Sequence, residues 1–261
     1  TAISVILAGV LLKMGGYGIL RISFPMFQGT TMGETLGVPT LYIIAVFGVI
    51  SILYGAFCAM AQTDFKKLVA YSSVSHMGYV LLGLAALNRE AVNGAVFQMF
   101  NHGLSSAMMF LLVGVIYDRA HHREINRFGG LGIQMPRYFA LAIIGFFAAL
   151  GLPGLNGFIS EVMVFLGAFR AEESILPHAR VLTILASIGV VLTAGYILWC
   201  VQRVYLTEPR PEYAGFSDAN AREIFTLAPL AALCILLGVF PSIALRVFDQ
   251  TMVALINLLT G

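Results

Sequence analysis

Apolar residues run in seven long unbroken stretches along the chain, 2–20, 40–61, 69–87, 92–117, 138–168, 181–202 and 224–245, separated by short polar connectors. Each stretch reaches or exceeds the roughly 20 residues that a helix needs to cross the hydrocarbon core. In lipid every backbone amide must find its partner inside the element, which helices achieve and open strands do not. Alternating ten-residue segments would point to a β-barrel, and these runs are continuous. The pattern predicts an all-α integral membrane protein of about seven transmembrane helices, with residues 1–261 forming a single transmembrane domain.

The distribution of charge sharpens this. Asp, Glu, Lys and Arg make up 28 of 261 residues, or 11%, and 59% of the chain is apolar. A soluble domain carries about 25% charged residues, so this chain lacks the polar side chains to cover a soluble surface. The seven stretches hold only Lys13 and Glu161 of the 28 charges. In the connectors after the second, fourth and sixth stretches stand nine cations, Lys66, Lys67, Arg119, Arg123, Arg127, Arg137, Arg203, Arg210 and Arg222. The opposite connectors hold five, Arg21, Arg89, Arg170, Arg180 and Arg246. The bias places the first set on the cytoplasmic side.

Other classes drop out. A net charge of +2 offers no basic patch for nucleic acid. Cys58, Cys200 and Cys234 lie scattered in apolar spans without metal or redox spacing, and His121-His122 is a poor metal pair because adjacent residues do not share a face. There is no secretory signal pattern at the start. Thr1 opens directly into an apolar run, so we expect this to be the later part of a longer protein.

Two spans are irregular. Residues 138–168 are too long for one straight crossing and contain Gly151-Leu152-Pro153-Gly154-Leu155-Asn156-Gly157. Pro153 lacks an N–H and clashes with the preceding turn, which predicts two half-helices joined by an unwound link, a simple proline kink being the plainer alternative. Gly15-Gly16-Tyr17-Gly18 predicts a milder break just after Lys13. Backbone irregularity at membrane depth is tolerated only within protein or beside water, and transporters place coupling sites there.

Four titratable side chains sit deep in the spans: Lys13, His76, His102 and Glu161. At 1.5 Å per residue they lie about 12, 13, 18 and 13 Å from the nearest connector charge, near the middle third of a core about 30 Å thick. Burial disfavours the charged form, while water and opposite charges favour it, so such groups can load and unload protons. Together they describe a proton relay. Hydroxyls and amides flank it: Ser72, Ser73 and Ser75 near His76, Asn101, Ser105 and Ser106 near His102, and Asn156 and Ser160 near Glu161. Taken singly, Lys13 snorkelling to an interface, histidines bonding a neighbouring helix and Glu161 as a neutral clamp are the packing alternatives. Glu161 follows the Pro153 break on the outer half of its span, the position expected for proton release.

These residues carry a resemblance. The stretch 6–18 around Lys13-Met14-Gly15-Gly16-Tyr17-Gly18, the stretches 61–68 and 70–78 ending in Ser75-His76-Met77-Gly78, and Asn101-His102-Gly103-Leu104-Ser105 resemble the antiporter-like membrane subunits of respiratory complex I. The run from Gly151 to Ser160-Glu161 is most similar to the subunit M (chain 4) family, since sister subunits carry lysine where Glu161 stands. The resemblance covers nearly the whole chain. It implies a fourteen-helix fold of two inverted five-helix repeats, of which this chain matches helices 8–14. By motif, Lys13 matches the lysine of the eighth helix, His76 and His102 the histidines of the tenth and eleventh, and Glu161 the carboxylate of the broken twelfth. The family's first-half Glu and Lys pair has no counterpart in these residues.

The resemblance further implies a proton-translocating subunit of NADH:quinone oxidoreductase in the bacterial inner membrane or an equivalent membrane. The chain itself would bind no cofactor. NADH, FMN, iron–sulfur clusters and quinone are expected on partner subunits, with neighbouring antiporter-like subunits as the nearest partners. A subunit of a multisubunit Na+/H+ antiporter and one of a membrane-bound energy-converting hydrogenase share the fold and are the rival readings.

Overall fold

The computed structural model describes residues 2–26, 31–32 and 38–260. Within them are seven helices long and apolar enough to cross a membrane: α1 (Ile3–Met26), α2 (Thr40–Met60), α3 (Phe65–Ala85), α4 (Arg89–Ala120), α7 (Ala179–Leu206), α8 (Ala221–Val239) and α9 (Ser242–Leu259). Two shorter apolar helices, α5 (Pro136–Leu150) and α6 (Asn156–Phe169), make up the broken crossing. A two-residue antiparallel pairing of Thr31–Met32 with Val38–Pro39 lies between α1 and α2. A polytopic helical membrane protein is the architecture the apolar pattern predicts.

α3 and α4 are the buried pair at the centre, while α1, α8 and α9 leave most of their surface outward. Local chemistry sets the helix ends. Asp64 caps α3 by accepting from the Lys67 amide at 3.0 Å, and Asn88 caps α4 by accepting from the Ala91 amide at 3.0 Å. At α8, Asn220 and Glu223 form a reciprocal capping box. Lys66 and Lys67 therefore stand at a helix start.

The connectors gather on two faces. On one, the Phe65 amide donates to the Arg123 carbonyl at 2.8 Å, and the Ile125 amide to the Thr63 carbonyl at 2.8 Å. Arg119 forms a two-pronged pair with Glu223 at 2.8 and 2.9 Å, and Arg203 and Arg210 both bond Asn126. This face joins the connectors that hold the larger set of cations. A single cysteine placed at Arg123 is therefore expected to be labelled by an impermeant thiol reagent only from the cytoplasmic side of sealed vesicles. Labelling from the opposite side reverses the assigned orientation.

α9 is an apolar helix beyond the seven stretches marked in the sequence. Residues 224–245 read as one span, but the helix ends at Val239 and the chain restarts at Ser242 after Pro241. Arg246 and Asp249 interrupt the apolar run that follows. Asp249 accepts from Arg89 at 2.6 and 2.9 Å and from Asn93 at 2.6 Å, which ties the middle of α9 to the start of α4. Met252, Leu255, Ile256 and Leu259 pack on the cluster formed by Leu20, Phe24, Val80, Leu84 and Val92.

α1 departs from expectation in detail. Residues 12–18, with their three glycines, remain α-helical, and the deformation falls on both sides as π-helical turns at Leu7–Leu11 and Ile19–Ser23. Gly16 is buried against Met99 and Val80, so its role there is close packing and not unwinding.

A mid-membrane row of ionisable side chains

The break in α5–α6 is built as the sequence predicts. α5 ends at Leu150, and Gly151 takes a left-handed conformation (φ 76°). The Leu152 amide bonds the Phe147 carbonyl at 3.1 Å and the Gly151 amide bonds Ala148 at 3.3 Å, the two bonds of a Schellman ending. Glycine is required at 151 twice over, because a Cβ there would also stand 2.8 Å from Glu161 Oε2. The chain runs irregularly through Pro153 and re-enters helix at Asn156. Glu161, five residues into α6, turns back toward the link.

α1 meets α4 where two glycines face each other: a Cβ on Gly103 would lie 3.2 Å from the Gly9 carbonyl and 3.9 Å from Lys13 Cε. Close approach through small residues is how helices associate in lipid. It brings Lys13 Nζ within 2.6 Å of His102 Nδ1. Nζ also donates to the carbonyl of Ala8, inside the π turn that precedes it. Such turns widen a helix locally and recur at functional sites.

From His102 the row continues across α3 to α6. The His102 and His76 rings lie 5.3 Å apart, centre to centre. His76 Nδ1 then stands 3.5 Å from Glu161 Oε1. His76 and His102 are 2% exposed and Glu161 6%, so none of the three is on an outer surface, and Lys13 is half-buried. All four residues singled out in the sequence meet in the order Lys13, His102, His76, Glu161. Each neighbour pair has one member able to donate a proton and one able to accept it.

The flanking polar residues divide. Asn101 Nδ2 donates to the Asn156 carbonyl at 2.8 Å and to Ser160 Oγ at 3.1 Å, and Asn156 Nδ2 returns a bond to Asn101 Oδ1 at 3.3 Å, so α4 grips the start of α6. The serines beside His76 are turned away: Ser72 and Ser73 bond the Val69 carbonyl and Ser75 bonds that of Ile52. Their part is backbone pairing. Gln98, absent from the sequence-based set, joins the row: its amide nitrogen lies 3.5 Å from His76 Nδ1 and its oxygen accepts from Ser160 Oγ at 2.5 Å. It stands one turn before His102, and the four-residue spacing puts both on one helix face.

His122 stacks on Phe128 at 4.6 Å and bonds the Tyr213 hydroxyl at 2.9 Å. Burial, followed by the nearby Arg127 charge, holds its imidazole below the ordinary histidine range. Cys58, Cys200 and Cys234 are unbridged. Among the described residues no three His, Cys, Asp or Glu side chains come together as a metal site.

The chain is thus a helical membrane bundle with one broken crossing and a row of ionisable side chains inside it. The chain belongs to the NADH:quinone oxidoreductase/Mrp antiporter transmembrane family, whose model matches residues 1–193. It is 43% identical to NADH-quinone oxidoreductase subunit M of Rhodobacter capsulatus, across 98% of this chain and 48% of that protein. It is 40% identical to F(420)H(2) dehydrogenase subunit M of Methanosarcina mazei, across 97% of this chain and 49% of that one. In structure it is similar to a chain of respiratory complex I from Thermus thermophilus, with a TM-score of 0.80 and 32% identity, over 95% of this chain and 50% of that one. The chain thus spans about half the length of these relatives.

Proposed function

We propose that the chain acts as one transmembrane unit of a proton-translocating membrane subunit in an NADH:quinone oxidoreductase of the complex I type. The observation that carries this reading is the order Lys13, His102, His76, Glu161 across α1, α4, α3 and α6, with the two histidine rings 5.3 Å apart at its centre. Protons pass along this row in the membrane plane, with Lys13 at one end and Glu161 at the other. The chain works as a subunit of the enzyme and carries no redox centre of its own. NADH, FMN, iron–sulfur clusters and quinone belong to partner subunits. Two relatives of nearly equal similarity are named for different electron donors, which supports placing the donor site outside this chain. Its direct partners are other membrane subunits, above all the adjacent antiporter-like ones.

Purification of the native assembly tests the setting: co-purifying NADH-oxidising subunits support the reading, and an assembly without redox subunits transfers the chain to the sodium/proton antiporters. The histidines test the row. His76→Ala and His102→Ala are each expected to lower proton pumping by about threefold, less than loss of Lys13, because water can bridge one missing member of a proton path. Proton uptake at matched complex content measures this. Unchanged pumping in the double variant makes both packing histidines.

A further inference from the structure

His76 Nδ1 has two competing partners at the same distance. Gln98 Nε2, a donor, and Glu161 Oε1, an acceptor, each lie 3.5 Å away. The Gln98 amide is held in that orientation. Its oxygen accepts from the Ser160 hydroxyl at 2.5 Å, and Ser160 Oγ in turn accepts from Asn101 Nδ2 at 3.1 Å. Asn101 spends its other N–H on the Asn156 carbonyl. The one Ser160 hydrogen also has the Gly157 carbonyl at 3.0 Å and the Asn156 carbonyl at 3.4 Å in reach; on its shortest contact, to Gln98 Oε1, it leaves the N–H of Gln98 as the group presented to the imidazole. All of these side chains are buried.

The consequence follows from donor and acceptor rules. A neutral His76 with its proton on Nε2 offers the Nδ1 lone pair, which takes the Gln98 N–H. A doubly protonated His76 has N–H at Nδ1 and then faces a second donor, which is repulsive, while the Glu161 carboxylate attracts it. Without Gln98 the imidazolium and carboxylate would settle as a buried pair and hold the proton.

We propose that Gln98 is a positioning residue which keeps the proton from resting on His76 and so drives it to Glu161. In that step the Nδ1–H bond breaks, the Oε1–H bond forms, imidazolium and carboxylate become imidazole and carboxylic acid, and the freed Nδ1 takes the Gln98 hydrogen bond. This rests on the relay reading above. Ser160 is the residue before Glu161 on α6, so any displacement of α6 moves the acceptor and the Gln98 anchor together. The remaining titratable groups facing His76 are His102 on α4 and Tyr79 on its own helix, at ring distances of 5.3 and 6.2 Å.

The test is a double-substitution cycle in the native complex in sealed vesicles. Gln98→Met keeps length and removes the N–H, and is expected to lower pumping about fivefold, the worth of one ordinary hydrogen bond. In a His76→Ala background the same change should cost nothing further, because the group it acts through is gone. Gln98→Glu, which keeps the acceptor for Ser160 but points an oxygen at His76, should behave likewise. Infrared difference spectra give an independent readout: the protonated-carboxyl band that disappears in Glu161→Gln should weaken in Gln98→Met, since the proton stays on the ring. Equal losses with and without His76 reduce Gln98 to packing and overturn the proposal, as does normal pumping by both Gln98 variants. The relay reading fails separately, through normal pumping by His76→Ala and Glu161→Gln.

Discussion

Lys13→Ala is expected to lower proton pumping and the linked quinone reduction by about tenfold or more, at the low end of what a positioned proton-transfer group contributes, while the complex still assembles. The substitution removes a group that spans two neighbours at once, the Ala8 carbonyl and His102 Nδ1. Assembly should survive because α1 holds to α4 through the Gly9–Gly103 approach and to α3 and α4 through Gly16, none of which involves the lysine head. Removing a half-buried amine also removes the cost of keeping it at membrane depth, which offsets the hydrogen bond that His102 Nδ1 loses. Lys13→Arg is the informative companion. It retains a cation but gives up its proton far less readily, so a role in charge alone keeps pumping and a role in transfer loses it. Pumping at the wild-type rate in an assembled Lys13→Ala complex ends the relay role for this residue.

How much of this is legible in the sequence differs between depth and direction. Depth follows from counting residues, so the common level of Lys13, His76, His102 and Glu161 could be read from four helices independently. Which of them touch depends on the rotation of each helix about its axis, and no connector spacing encodes that. The link at 151–157 was legible because proline and glycine act locally. The glycines at 15–18 misled for the complementary reason: glycine permits unwinding but also permits close packing, and the neighbour that decides between them, Met99, is over 80 residues away. α9 was hidden by Arg246 and Asp249, whose cost becomes tolerable only when Arg89 and Asn93 stand opposite Asp249. Ser72, Ser73 and Ser75 illustrate the same limit. A hydroxyl in a helix has the carbonyl three or four residues back always in reach, and it takes that partner, or the carbonyl of an adjoining helix, over a distant imidazole. Gln98 carries a signal in the sequence, its four-residue offset from His102.

Glu161 separates a titrating residue from a structural clamp through an order of activities. It is 6% exposed, its Oε1 faces His76 Nδ1 at 3.5 Å, and its Oε2 lies against the Gly151 backbone at the unwound link. A carboxyl group there is neutral when loaded and charged when emptied, and His76 at 3.5 Å is the group placed to favour the charged state. Glutamine preserves length and hydrogen bonding but cannot titrate. Aspartate titrates but is one methylene short, which lengthens a 3.5 Å approach that is already long for proton transfer. A release role therefore predicts that pumping falls in the order Glu161, Glu161→Asp, Glu161→Gln, with aspartate down by about threefold and glutamine by about tenfold or more. A neutral clamp predicts the reverse for the two variants, because glutamine mimics the protonated acid and aspartate leaves both a void and a misplaced donor. The measurement is the proton-to-electron ratio in sealed vesicles at matched complex content. Glu161→Gln pumping at the wild-type ratio removes proton release from this residue and leaves Asn101, Asn156 and Ser160 as the polar hold on α6, with Glu161 a packing member among them.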